Sequence, residues 1–82
     1  MAAELGRLRW RCRRGMKELD LLLTRYLDER YGGASEVEQH AFQELLETQD
    51  PVIFGYCLGS QRPPEHLVDL IGQIAVTARL TR

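Results

Sequence analysis

The sequence predicts an all-α protein, a small five-helix bundle in which residues 1–82 form a single domain. Apolar side chains recur at helical spacing in five segments, no segment alternates polar and apolar residues as a strand would, and short glycine- or proline-containing turns separate the segments. A chain of 82 residues buries only about 60% of its unfolded surface, which leaves no room for a second domain or a deep cleft. We therefore expect a compact antiparallel arrangement.

The first helix is expected from Leu5 to Arg13 and the second from Met16 to Arg30, with Gly15 between them as a left-handed residue at the end of the first helix. The predicted buried faces are Leu5, Leu8 and Cys12 in the first helix, and Met16, Leu19, Leu23, Tyr26 and Leu27 in the second. The second helix carries the broader apolar stripe, so we expect it to be the central packing helix.

A capping box predicts the start of the third helix: the Ser35 hydroxyl can bond the amide of Glu38, whose carboxylate can reach back. Asp50 followed by Pro51 predicts the N-cap and first residue of a fourth helix that ends at Gly59, and a fifth helix follows the next prolines. The predicted buried faces of these helices are Val37, Ala41, Phe42, Leu45 and Leu46, then Ile53, Phe54, Cys57 and Leu58, then Leu67, Leu70, Ile71, Ile74, Ala75 and Ala78.

Composition excludes several classes of protein. Hydrophobic content of 44% and charged content of 28% are typical of a soluble globular protein, and no apolar run approaches the roughly 18 residues of a membrane span. Cys12 and Cys57 have no CxxC spacing, so we interpret both as buried thiols. Because the first helix already begins near Leu5, we expect no leader peptide and a bacterial cytoplasmic location.

The sequence contains no recognisable catalytic or cofactor-binding motif. Neither a G-x-S-x-G elbow nor a phosphate-binding glycine loop is present, and His40 and His66 each lack a second ligand at metal-binding spacing. We therefore expect no enzymatic activity, no catalytic residue, no metal site and no stably bound cofactor. What remains is a binding function.

Charge is unevenly distributed in a chain whose formal net charge is −1. The cations cluster near the start of the chain, at Arg7, Arg9, Arg11, Arg13, Arg14 and Lys17. The middle of the chain is acidic instead. This asymmetry favours one face built for an anionic partner.

Within the basic segment, Arg14, Gly15 and Glu18 form an R-G-x-x-E element. Glu18 and Asp20 fall in the first turn of the second helix, where carboxylates interact favourably with the helix dipole. Arg14 is disfavoured by the same dipole, so we interpret it as a residue that makes contacts outside the chain. Trp10 could either pack against a neighbouring helix or be displayed on the surface, and the sequence leaves both open.

The stretch from Arg7 to Asp20, with its pattern W-x-C-R-R-G-M-x-E-L-D, closely resembles the signature of the SdhE-type FAD assembly factors, the succinate dehydrogenase assembly factor 2 family of mitochondria. Later features that match are the turn at Tyr31, the helix at 42–46, the Asp50-Pro51 pair and Phe54. The resemblance covers nearly the whole chain.

The resemblance implies a helical chaperone that is a monomer when free. It would bind the flavoprotein subunit of succinate dehydrogenase, and possibly that of fumarate reductase, and promote covalent FAD attachment there without holding FAD stably itself. The implied partner-binding residues are Arg14, Gly15 and Glu18, together with Trp10, Arg11, Met16, Lys17 and Asp20.

Two other hypotheses remain open from the residues alone. A nucleic-acid- or ribosome-binding module could use the basic segment with Trp10 stacking on bases, and its binding would fall steeply with salt while tolerating the loss of Glu18. A toxin–antitoxin partner would share the small helical character but would leave the R-G-x-x-E element unexplained.

Overall fold

A computed structural model describes the backbone of residues 2–80 and the side chains of residues 5–77. The described chain contains five α-helices: α1 is Ala2–Arg11, α2 is Lys17–Glu29, α3 is Glu36–Leu45, α4 is Asp50–Leu58 and α5 is Glu65–Leu80. A short 3₁₀ turn, Tyr31–Gly33, connects α2 to α3. No strand occurs in these residues, and the predicted five-helix bundle is confirmed.

The centre of the bundle is the pair α2 and α5, which share the most extensive helix–helix contact; α1 packs on α2, and α4 packs on both α2 and α5. The Cα radius of gyration is 11.6 Å, as compact as expected for a globular chain of this length. No helix of the described residues is both long and apolar enough to cross a membrane.

The core is a single cluster whose largest contribution comes from α2, as the sequence predicts. Leu19, Leu23 and Tyr26 are completely buried, and the Tyr26 ring lies 4.8 Å from that of Phe42 between ring centroids. Tyr31 adds a second ring contact to Phe42 at 5.5 Å. These contacts join α2, the 3₁₀ turn and α3.

Some predicted core positions are wrong. Leu5, Val37 and Leu58 are 45%, 81% and 65% exposed. Each lies in the first or last turn of its helix. Cys12 is completely buried as predicted, whereas Cys57 is only partly buried. The side chain predicted for the core at position 78 lies outside the described side chains.

The helix caps differ from the sequence interpretation in two places. Ser35 caps α3 by accepting a hydrogen bond from the Glu38 amide at 3.2 Å, but the Glu38 carboxylate accepts from the Tyr26 hydroxyl. Half of the capping box therefore forms, because a buried phenol needs an acceptor. Gln49, not Asp50, is the N-cap of α4, since Asp50 is already helical and its carboxylate bonds elsewhere.

Candidate docking surface

The connection between α1 and α2 turns at Gly15, which has a φ of +88°. The left-handed conformation predicted for this glycine is confirmed, although α1 ends at Arg11 and Gly15 is therefore not its C′ residue. A Cβ built on Gly15 would meet no atom within 4 Å. Gly15 is exposed, and its assignment to the partner-binding residues stays a prediction.

Arg14 is turned inward, although the sequence favoured contacts outside the chain for this residue. Its side chain is 15% exposed, and its Nε donates to Asp50 Oδ1 at 2.7 Å. The same guanidinium donates to the carbonyl oxygens of Arg11, Leu46 and Thr48, at 3.1, 2.6 and 2.7 Å. Local helix electrostatics could not reveal these bonds, because three of the four acceptors are more than thirty residues away.

Asp20 also serves the connection between α1 and α2. One of its carboxylate oxygens accepts a hydrogen bond from the backbone N–H of Arg14 at 2.6 Å, and the side chain is partly buried. Asp20 therefore fixes the connection to the first turn of α2, beyond the helix-dipole role suggested by the sequence.

Other residues of the predicted site are displayed on the surface. Trp10 is 72% exposed, which answers the question the sequence left open. Lys17 and Glu18 are exposed in the first turn of α2, and no described residue hydrogen-bonds to the Glu18 carboxylate. Arg11 and Met16 are partly buried, Met16 against the core.

A shallow groove of about 490 Å³ lies between α1 and α2, beside the R-G-x-x-E element. It is lined by Arg9, Arg13, Lys17, Asp20, Leu21 and Thr24. Leu21 is 52% exposed, and the cations around it make a mixed apolar and basic surface. Arg9, Arg13, Leu21 and Thr24 are absent from the predicted site. Helical periodicity already places Leu21 off the core face. An exposed leucine beside cations could therefore have identified this groove from the sequence.

The groove and the exposed residues Trp10, Arg13, Gly15, Lys17 and Glu18 together are called the docking surface below. Arg9 at its edge pairs with Asp28, and this hydrogen bond and the aspartate's charge raise the pKa of Arg9. Arg9 and Arg14 are both paired with carboxylates, so two of the six cations on which the nucleic-acid hypothesis depends already have partners within the chain.

The described residues offer little for catalysis or metal binding. No group of three potential metal ligands occurs among them, and His66 hydrogen-bonds Glu44 at 2.5 Å. Burial raises the pKa values of Cys12 and Cys57 to about 11, so neither thiol is activated at neutral pH. A larger depression of about 590 Å³, between α2, α3 and α5, contains no residue of the predicted site.

Fold and surface thus define a small helical bundle whose predicted site is an open, charged surface beside a tightly bonded turn. The chain belongs to the family described as "flavinator of succinate dehydrogenase", which it matches over residues 6–78. The matched segment contains the whole docking surface.

Curated relatives include proteins named FAD assembly factor SdhE. The chain is 40% identical to the one from Coxiella burnetii over 57 residues, which cover 70% of each chain. It is 37% identical to that of Legionella pneumophila strain Paris over 71 residues, 87% of this chain and 90% of the relative. Identity to the Aliivibrio fischeri protein is 44% over 61 residues, 74% and 71% of the two chains. The predicted family is confirmed, and the nucleic-acid hypothesis is not favoured.

Proposed function

We propose that this chain is an assembly factor that binds the flavoprotein subunit of succinate dehydrogenase and promotes covalent attachment of FAD to it. The observation that carries the proposal is the family match over residues 6–78, together with the names of the curated relatives. The flavoprotein subunit of fumarate reductase would be a second partner. We place the protein in the bacterial cytoplasm, as a monomer when free.

The proposed mechanism is positioning rather than catalysis by this chain. A bound factor would hold the flavoprotein in a conformation that aligns FAD with its acceptor side chain, and alignment alone can accelerate a reaction by a large factor. FAD would remain with the partner. The bonding groups of the docking surface, Lys17 and the Glu18 carboxylate, suit charge-assisted hydrogen bonds to a protein surface.

Glu18 is the residue through which the proposal is best tested. Its carboxylate has no hydrogen-bond partner among the described residues, so removing it should not disturb the bundle. At an interface, loss of one member of a buried charge pair costs about 2 to 5 kcal/mol, so Glu18→Ala should weaken binding at least about thirtyfold. Glu36→Ala is the matched control, since Glu36 is also exposed in the first turn of a helix.

The test is complementation in a bacterium whose own assembly-factor gene has been deleted, followed by in-gel flavin fluorescence of the flavoprotein subunits. We expect the unsubstituted chain and Glu36→Ala to restore the fluorescent band and Glu18→Ala to restore little of it. Absence of rescue by the well-expressed unsubstituted chain would contradict the proposed function. Full rescue by Glu18→Ala would contradict the role given to Glu18.

A further inference from the structure

Arg14 connects more of the bundle than any other residue of the R-G-x-x-E element. Its backbone N–H bonds Asp20 in α2, and its guanidinium bonds Asp50 at the start of α4. The guanidinium also donates hydrogen bonds to the carbonyl oxygens of Leu46 and Thr48, in the connection between α3 and α4. One side chain thus joins two connections that lie far apart in the sequence.

We propose that Arg14 is a positioning residue, which acts with Asp50 to fix the connection between α1 and α2 and leaves contact with the partner to the exposed residues around it. This inference rests on the proposed function and assigns a role to Asp50, which lies outside the R-G-x-x-E element. Direct recognition of a partner carboxylate by Arg14 is the competing interpretation.

The bonds of the guanidinium argue against direct recognition. Its donors form a planar fork, and here Nε, Nη1 and Nη2 are all engaged within the chain. Four of its five N–H donors are used in this way, so a partner carboxylate could bind Arg14 through two hydrogen bonds only by displacing Asp50 or one of the carbonyl oxygens. Each displaced group would then lose a charge-assisted hydrogen bond in a partly buried place.

The start of α2 needs an external support, which is why the Arg14–Asp50 pair matters for docking. The N-cap residue Met16 provides no side-chain hydrogen bond to the helix, and Gly15 before it has no side chain to pack. Without the pair, the connection before α2 would keep the Asp20 bond and the packing of Met16 on the core but would lose its ion pair with α4. Glu18 and Lys17 would then sample a wider range of positions, which lowers affinity.

The experiment compares Arg14→Ala, Asp50→Ala and the double variant in the full chain, by the dissociation constant for a purified flavoprotein subunit of succinate dehydrogenase. We expect each single variant to weaken binding at least tenfold, with the larger effect in Arg14→Ala, which also removes the bonds to the carbonyl oxygens of Leu46 and Thr48. The double variant should bind no more weakly than the weaker single variant, since one interaction cannot be lost twice. Arg14→Lys should not restore binding, because an ammonium cannot reproduce the planar fork.

A second measurement separates positioning from general loss of stability. Ile74→Val shortens a fully buried side chain in α5 that is no part of the Arg14–Asp50 pair, and all variants are compared at a temperature where each is folded. We expect Ile74→Val to bind normally. In Asp50→Ala, amide hydrogen exchange at Arg14 and Asp20, whose N–H groups bond the Asp20 carboxylate and the Met16 carbonyl, should accelerate at least tenfold, while the centre of α5 stays protected.

The outcomes distinguish the two levels of inference. If Arg14→Ala lost binding while Asp50→Ala kept it, direct contact would replace the positioning role. Equal weakening in Ile74→Val at matched stability would also overturn the positioning role, since affinity would then follow stability alone. Failure of the unsubstituted chain to bind any flavoprotein subunit would overturn the proposed function. Unchanged exchange at Arg14 and Asp20 in Asp50→Ala would separately refute the support given by Asp50.

Discussion

At the scale of single residues, the connection between α1 and α2 depends on Gly15 and Arg14 for different reasons. Gly15 supplies a backbone conformation with φ of +88°, and no neighbouring atom restricts what could be added there. Arg14 supplies hydrogen bonds that fix the connection to the rest of the bundle. The two neighbouring residues of the motif therefore have different roles: Gly15 allows the turn, and Arg14 fixes it by hydrogen bonds.

Gly15→Ala should destabilise the protein by about 1 to 2 kcal/mol, because an L-residue is disfavoured in the left-handed region even where space is available. Gly72→Ala is the matched control: Gly72 lies within α5, and its added Cβ also meets no atom within 4 Å. We expect Gly72→Ala to stabilise by about 0.5 to 1 kcal/mol. Urea unfolding measures both, and a shift of the same sign in the two variants would contradict the conformational argument.

The sequence predicted the conformation of Gly15 but not the bonding of Arg14, and the difference is physical. A glycine between two helical patterns indicates a left-handed backbone conformation, and this requirement depends only on residues close by in the sequence. The Arg14–Asp50 contact spans 36 residues and forms only when α4 is packed. Asp50 had a sufficient local explanation as a cap, so nothing in the sequence required another partner.

At the scale of elements, α2 has two faces with separate tasks. One face holds Leu19, Leu23 and Tyr26 in the core, while Leu21 and Lys17 line the docking surface. Helical periodicity alone separates these faces, which explains why the sequence predicted the core face of α2 well. Predicted burial failed at helix ends such as Leu5 and Leu58, because periodicity identifies the apolar side of a helix but not which of its turns a neighbour covers.

Leu23→Ala and Leu21→Ala test this division within one helix. Leu23 is completely buried, so we expect a loss of about 2 to 5 kcal/mol from lost transfer energy and the cavity. Leu21 is 52% exposed, and its truncation should change stability by about 0.5 kcal/mol or less. Equilibrium unfolding in urea gives both values. Comparable losses of stability in the two variants would contradict the assignment of Leu23 to the core face of α2 and Leu21 to its exposed face.

At the scale of the whole molecule, stability rests on one small core. A chain of 82 residues is expected to have a free energy of unfolding on the order of 4 to 12 kcal/mol. Within that core lie the Cys12 thiol and the Tyr26 phenol, and burial raises the pKa of both. Burial also raises the pKa of the partly buried Cys57 thiol.

These groups predict a loss of stability at alkaline pH. The folded protein holds the Cys12 proton more tightly than the unfolded chain, whose ordinary thiol pKa is 9.0. The contribution is fully present below pH 9.0 and falls as pH rises through about 11, by an amount on the order of 2 kcal/mol for Cys12. Tyr26 adds to the loss in the same direction.

Urea midpoints measured at about pH 8 and pH 10.5 should therefore decrease, and the decrease should be smaller in Cys12→Ala than in the unsubstituted chain. Comparing the pH dependence of each variant removes the constant cost of the substitution itself. Parallel pH dependences in the two proteins would contradict the assignment to Cys12.

Trp10 is the chain's single tryptophan, and 72% of its surface faces water in the folded protein. Its emission should therefore already resemble that of a solvated indole before unfolding, so tryptophan fluorescence would be a poor reporter of denaturation. The same property makes Trp10 an intrinsic optical probe of association. A protein that covered this ring would shift its emission toward shorter wavelengths, so docking could be followed without a label.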